Sequence, residues 1–461
     1  MKGRILLVSS SFEDETRILT HADMFYPLGL GYLHSYLEHC DYNVQTLFLN
    51  GYPFKDCYER TIQTIDEYKP NMIGFQVITN NRVSTYRLIE SIHEKYPDIH
   101  IVLGGIHSTL MYQQLLERYP FLTVVIGEGE ITFSELAEKL INNNTNLENV
   151  DGIAFHNNGV IKTKDRELIE NLDILPFPKH EAFFDQNRRI GSIITARGCP
   201  FKCSFCCLDN VSKRRIRYRS VDNVVDEIEY LLKKFPKMRD ICIHDDTFFM
   251  DNQRAIKICE EIIRRKIKLN FSCSGRIKPI SKELIAALEK AGFTRVLLGL
   301  ESGSSRVLRQ THKGITKEDA INAIKLFSNS CLNVQLFMIT GLPGEDINTV
   351  KETCQFIQKL QKIRYIRLGG FPILWVYPGT EIYEKAKAAG MIDDNYWLTD
   401  KPVPFYTAEN TIEELNHFND IIAKNIDMQR IFTLSGFLAQ ITLFPYIIKY
   451  IYLRKTKKLR R

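Results

Sequence analysis

A chain of 461 residues with 44% hydrophobic and 25% charged residues is long enough for two or three folded domains and too apolar for wholesale disorder. Its net charge of +6 is matched by six basic residues in the terminal run RKTKKLRR, residues 454–461. The body of the chain is therefore near neutral, and nucleic acid is not an expected partner. The eleven cysteines are scattered and odd in number, and the opening MKGRILLVSS reads as a buried strand rather than a signal peptide. A disulfide scaffold is excluded on those grounds, and a reducing cytoplasm is expected.

Residues 1–145 alternate short apolar runs such as RILLVSS, VQTLFL, MIGFQVI and IHIVLGG with amphipathic segments of helical length. That order predicts parallel strands joined by right-handed crossovers, hence an α/β, doubly wound, Rossmann-like domain. Ligands of such a sheet sit beyond the carboxyl ends of its strands, here residues 9–12, 76–81, 104–108 and 127–130. Glycines at those ends let a large flat ligand approach the backbone. Residues 146–187 lose the periodicity: DGIAFHNNGVI reads as a hairpin turning at Asn157, Asn158 and Gly159, and LDILPFPKH as a stiff linker. Alternation resumes over residues 188–385 with about six strand–helix units, short of the eight in a closed barrel. A partial (β/α)6 barrel with a lateral opening is expected there, followed by a mainly helical region, residues 386–461.

At the start of the predicted barrel lies TARGCPFKCSFCC, which spaces Cys199, Cys203 and Cys206 as C-x3-C-x2-C. Three thiolates on one loop can hold three irons of a cubane 4Fe–4S cluster and leave the fourth open. Zinc is the rival, but no second cysteine or histidine pair follows at finger spacing. Cys207 fits no part of the pattern and reads as a small buried hydrophobe.

This loop resembles the signature of the radical S-adenosylmethionine (SAM) enzymes, in which the open iron chelates SAM and the cofactor is cleaved to a 5′-deoxyadenosyl radical. The resemblance covers residues 188–385 and implies SAM contacts at successive strand ends. Asp245 and Asp246 stand where the family receives the SAM amino group, with capping of the next helix as the lesser alternative. Ser274 and Arg276 correspond to positions near the SAM carboxylate or ribose. Glu301 and Ser302 resemble the family's ribose-binding G-[IL]-E-S-G segment, and Gly341, Pro343 and Gly344 its adenine-side G-x-P-G-E loop. The segments PLGLGYL, GG-x-H-S-T and G-E-G-E of the first domain look like the cobalamin-binding domain of one branch of the family. Gly104, Gly105, His107, Gly127 and Glu128 are then candidate cobalamin contacts. The D-x-H-x-x-G motif, whose histidine ligates cobalt in many cobalamin proteins, is absent.

Residues 431–448 contain no charged side chain and precede the basic run. They suggest an interfacial membrane segment, with a core helix over the barrel as the alternative. The expectation that gathers these features is a cytoplasmic, cobalamin-dependent radical SAM methyltransferase acting on an unactivated carbon of a small-molecule or lipid substrate, at the inner face of a membrane if the tail binds there. Its electron donor would be a flavodoxin or ferredoxin. A radical SAM cyclase or rearrangement enzyme, a radical SAM enzyme without cobalamin and a non-catalytic iron–sulfur or cobalamin sensor are the alternatives.

Overall fold

A computed structural model describes residues 2–12, 26–142 and 146–426. Its first sheet contains β1 (Arg4–Ser9), β2 (Asn43–Phe48), β3 (Met72–Gln76), β4 (His100–Gly104), β5 (Thr123–Val125), β6 (Ile153–His156) and β7 (Val160–Lys162), in the order β2-β1-β3-β4-β5-β6-β7. The first five pair in parallel, and helices such as Leu28–His39 and Arg82–Lys95 form the crossovers. The strand interiors are apolar because both faces are covered: Leu6, Val8, Ile73 and Phe75 belong to one core cluster, and Ile5, Leu7, Met72 and Val102 to another.

The hairpin forms at Asn157–Gly159, with Asn158 and Gly159 at positive φ (51° and 137°), but it is not part of a linker. It runs antiparallel along β5, pairing Val125 with Ile153 and Thr123 with Phe155. The short β5 would otherwise end the sheet with unpaired backbone groups, and the returning hairpin covers that edge. The first body thus extends through Lys162, past the boundary expected near residue 145.

The second sheet is wholly parallel, in the order β15-β14-β13-β12-β11-β8: β8 (Ile190–Ile193), β11 (Asp240–Ile243), β12 (Asn270–Arg276), β13 (Phe293–Glu301), β14 (Asn333–Met338) and β15 (Arg367–Leu368). Between β8 and β11 a short ribbon pairs β9 (Ala196–Arg197) with β10 (Arg217–Tyr218). Alternate side chains face the surrounding helices and form the barrel core: Ile241, Ile243, Phe271, Cys273, Val296, Leu298, Val334 and Leu336. The intervening positions line the concave side, and the register sets Ser192, Cys242, Ser272 and Arg295 in one row. Side-chain oxygens of Ser220, Asp251, Ser281, Thr316 and Asp346 cap five of the barrel's helices; Asp251 accepts the Arg254 N–H at the start of Asn252–Arg264. The cap is therefore Asp251, and not Asp245 or Asp246.

After β15 the chain crosses back to the first body. Leu374, Val376, Ile382, Tyr383, Ala386, Ile392 and the fully buried Trp397 pack into the same cluster as Leu6, Ile73 and Leu103. The helix Ile412–Asn425 returns to the barrel core through Leu415, Phe418 and Ile422.

A buried polar network also joins the two bodies. Glu227 on the helix Val221–Lys234 is fully buried and accepts from His180 Nε2 (2.9 Å) and from Arg219. His180 Nδ1 meets the Tyr26 hydroxyl (2.6 Å), which accepts the Ser192 N–H (3.2 Å), and Arg219 donates to Tyr32 (3.2 Å). Among the described residues no helix is long and apolar enough to cross a membrane. The apolar segment and basic tail, residues 431–461, lie outside the described residues.

Candidate active site

The ribbon of β9 and β10 pinches the loop that carries the three spaced cysteines. Gly198 has φ +93°, and a Cβ there would lie 2.2 Å from the Arg215 carbonyl oxygen; only glycine passes so close to the ribbon. The Ser204 N–H donates to the Thr311 carbonyl (3.1 Å) and the Cys206 N–H to that of Cys203 (3.0 Å). Arg276 stacks on Phe201 at 3.6 Å, with Nη1 3.7 Å from Cys203 Sγ. Cys203 is buried, Cys199 half-buried and Cys206 exposed, and burial pushes the Cys199 thiol up. A thiol in that state becomes a ligand when an incoming metal displaces its proton, which is released to solvent.

A cavity of about 340 Å³ lies between the two bodies. From the first sheet it is lined by Gly104, Gly105, Gly127 and Glu128, and from the second body by Arg197, Gly198, Leu208, His244 and Asp246. A Cβ on Gly104 or Gly127 would meet nothing within 4 Å, so these glycines leave open space, as a large planar ligand would need. Glu128 is on the wall but not free: it accepts from Arg217 (2.8 and 3.0 Å) and from Arg197 (3.0 Å). Burial works to raise its carboxyl, yet Arg217 and Arg197 outweigh this and hold it below the ordinary range. Arg197 also reaches Glu130 (2.6 Å) and stacks over Tyr32 (4.9 Å). This link between the strand ends and the cysteine loop had no local sequence signal, because its partners are 69 residues apart.

Several predicted contacts need correction. His107 does not line the cavity. It is fully buried, with Nδ1 on the Thr79 hydroxyl (3.1 Å), Nε2 on the Tyr86 hydroxyl (3.0 Å) and Trp397 edge-on; burial lowers it to about 3, so it is a neutral core residue. Asp245 is turned inward, accepting from the Thr195 and Ala196 N–H groups (2.6 and 3.2 Å) and the Thr195 hydroxyl (2.5 Å). Burial raises it to about 6, and it anchors the entry to the cysteine loop instead of offering a carboxylate to an ammonium. Asp246 is the member of the pair that reaches the cavity. Ser302 spends its hydroxyl within the fold, on the Ser304 N–H (3.1 Å) and on Thr353 (3.4 Å).

Other predicted residues gather beside the loop. Ser274 and Arg276 lie on one face of β12, in register with Leu297 and Gly299. Glu301, at φ +70°, is buried with Lys313 Nζ at 2.7 Å. The turn through Gly341, Pro343 and Gly344 is internally bonded. Gly344 donates to Glu409 (2.6 Å), and a Cβ there would overlap Gln310 at 1.5 Å. The Gly341 N–H donates to Glu345.

Burial raises Glu345 to about 7 from an ordinary 4.5. A carboxyl whose folded value is raised gives stability that is complete below about 4.5 and is lost as pH climbs through about 7. Glu345→Gln should therefore match the parent at pH 5 and exceed it at pH 8 by about 1–3 kcal/mol, read as unfolding midpoints at the two pH values. A pH-independent difference would refute this.

Residues 193–357 match the model of the radical SAM superfamily, and residues 17–137 that of the B12 binding domain. The chain belongs to the B12-binding radical SAM enzymes. The relatives of this radical SAM enzyme include an uncharacterized methyltransferase, PH0819, of Pyrococcus horikoshii, 28% identical and aligned over 85% of this chain and 84% of the relative. An anaerobic magnesium-protoporphyrin IX monomethyl ester cyclase of Rubrivivax gelatinosus is 30% identical over 71% of this chain, which spans 61% of the cyclase. Among solved structures, the radical SAM methyltransferase TsrM from Kitasatospora setae superposes with a TM-score of 0.71 at 21% identity, covering 84% of this chain and 76% of TsrM. OxsB, a cobalamin-dependent SAM radical enzyme, gives 0.64 at 21% identity, covering 89% of this chain and 57% of OxsB. These likenesses concern the fold: a B12-binding domain ahead of a partial barrel.

Proposed function

We propose that this radical SAM enzyme is a cobalamin-dependent methyltransferase that places a methyl group from SAM on an unactivated carbon. One observation carries the reading. The open glycines of the B12-binding domain and the residues flanking the cysteine loop, Gly198 and Leu208, face a single cavity. Cys199, Cys203 and Cys206 would hold a 4Fe–4S cluster; Asp246, Ser274, Arg276, Glu301 and the turn at residues 341–344 would receive SAM; Gly104, Gly105 and Gly127 would admit cobalamin. When bound, these cofactors supply reductive SAM cleavage, hydrogen abstraction and a methyl carrier, with electrons from a flavodoxin or ferredoxin.

The chain's own contribution is placement. Arg276, fixed between Phe201 and the Lys313 carbonyl, presents a planar cation suited to a carboxylate. Lys313 orients the Glu301 carboxylate, whose remaining lone pairs can accept ribose hydroxyls. Leu30, Tyr32, Val125 and Phe133 form an apolar wall of the cavity and limit water around reactive groups. Cyclisation or rearrangement without methyl transfer is the second reading, favoured by the 30% identity to a cyclase. The apolar substrate and peripheral membrane contact expected from residues 431–461 rest on residues outside those described and form no part of this proposal.

The test is product analysis after anaerobic reconstitution with iron, sulfide and hydroxocobalamin, using methyl-labelled SAM and cell extract. Label on a new carbon–methyl group supports methyl transfer. 5′-Deoxyadenosine with an unlabelled, altered product supports the second reading, and neither product ends both. Gly104→Phe puts a Cβ where nothing lies within 4 Å, on the wall of the cavity. It should keep its circular dichroism spectrum and lose about tenfold or more of the cobalamin retained on gel filtration; undiminished corrin absorbance would remove the glycine-lined side as the cobalamin site.

A further inference from the structure

The concave face of the second sheet carries two arginines that the reading above does not use. Arg295 on β13 is half-buried and lies beside Ser272; Arg367 on the edge strand β15 lies beside Gln335 of β14. Parallel partners in register share a face. The opposite face is the barrel core, so both guanidiniums stand on the concave side. Neither makes a hydrogen bond or ion pair with a described residue. Elsewhere the chain engages its enclosed arginines: Arg219 holds Glu227, and Arg254 the carbonyls of Thr195 and Arg219. Arg367 is exposed to water and Arg295 half-buried, so it is Arg295 whose guanidinium is only partly compensated until an anion arrives. Above Arg295, toward the cysteine loop, the face becomes apolar: Leu297 follows it on its strand, level with Arg367 across Gln335, and Phe337 is 40% exposed two residues beyond Gln335.

We propose that the substrate is amphiphilic, with a carboxylate or phosphate held by Arg295 and Arg367 and its carbon chain running along Leu297 and Phe337 toward the cysteine loop. The two arginine forks match either anion, which can accept paired N–H bonds. Gly299, where the loop-proximal end of the face begins, is four residues beyond Arg295, roughly 13 Å along the strand. A chain of several carbons would bridge that distance once the arginine's own reach is subtracted. This assignment rests on the methyltransferase reading, because it names the substrate class of the same site.

Saturation-transfer NMR on the reconstituted full-length enzyme, titrated with hexyl phosphate, hexanoate and neutral 1-hexanol, tests it. At least one anion should bind about tenfold or more tightly than hexanol, and the Arg295→Ala/Arg367→Ala double variant, checked for an unchanged melting midpoint, should lose that preference. Arg295→Lys, which keeps the charge, should retain part of it and serves if the double variant does not fold. The tighter anion identifies a phosphate ester or a carboxylic acid. Equal binding of the three ligands, no binding, or a preference that survives in the double variant overturns the assignment. SAM cleavage by the unmodified enzyme in the same preparation separates the two levels. Cleavage without anion preference sinks the arginine assignment alone, and absence of cleavage sinks the function beneath it.

Discussion

Replacing any one of Cys199, Cys203 and Cys206 by alanine is expected to reduce 5′-deoxyadenosine formation to the level of a protein-free control, with loss of the bound iron and sulfide. The effect is all-or-none because each sulfur serves a different iron. Cys207→Ala supplies the contrast. Its thiol is half-buried beside the loop and its carbonyl accepts from Asn210, a bond that alanine keeps. Iron and sulfide analysis with chromatography of 5′-deoxyadenosine, all under anaerobic conditions, reads the four variants together. Cleavage that persisted in any of the first three would end the claim that these sulfurs start the chemistry.

The second large effect falls on stability. Glu227→Ala removes a fully buried carboxylate and leaves His180 and Arg219 facing each other without compensation. Breaking one side of such a pair costs about 3–5 kcal/mol, enough to lower the melting midpoint by roughly 5 °C or more. Burial works against the Glu227 charge, but Arg219 and His180 outweigh it and hold the carboxyl below its ordinary value. The stabilisation is therefore complete above the unfolded value of about 4.5 and fades as pH falls through the lower folded one. Differential scanning fluorimetry at pH 7 and pH 4 should give a wide gap between parent and variant at the first and a narrower one at the second. Since Tyr26 and Tyr32 of the first body depend on the same network, the variant should also retain less cobalamin. A shift under about 1 °C at pH 7 would mean that the network contributes nothing net.

The strands were legible because both sheets alternate apolar runs with amphipathic helices, a pattern set by burial on two faces. The cysteine spacing was legible because all three residues share one short loop. Long-range partnerships were not. Glu128 was flagged from G-E-G-E, yet its meeting with Arg197 and Arg217 depends on how two bodies dock. His107 and Asp245 stand at strand ends as expected of site residues, but which way a side chain turns there is decided by backbone direction, and both turn inward. The hairpin was visible from its turn residues, while its place at the edge of the first sheet depended on β5 being short enough to need a partner. The return of residues 374–397 to the first body escaped notice because the apolar face of the helix Glu381–Ala388, made of Ile382, Tyr383 and Ala386, is visible locally but does not say which body it packs against.

That return has a consequence for synthesis. The cluster of Leu6, Ile73 and Leu103 is closed by Trp397, which leaves the ribosome some 235 residues after Lys162 completes the first sheet. At ordinary elongation rates the nascent chain would wait roughly 10 to 50 seconds with that surface uncovered. Over that interval a chaperone, not the protein itself, would have to shield it.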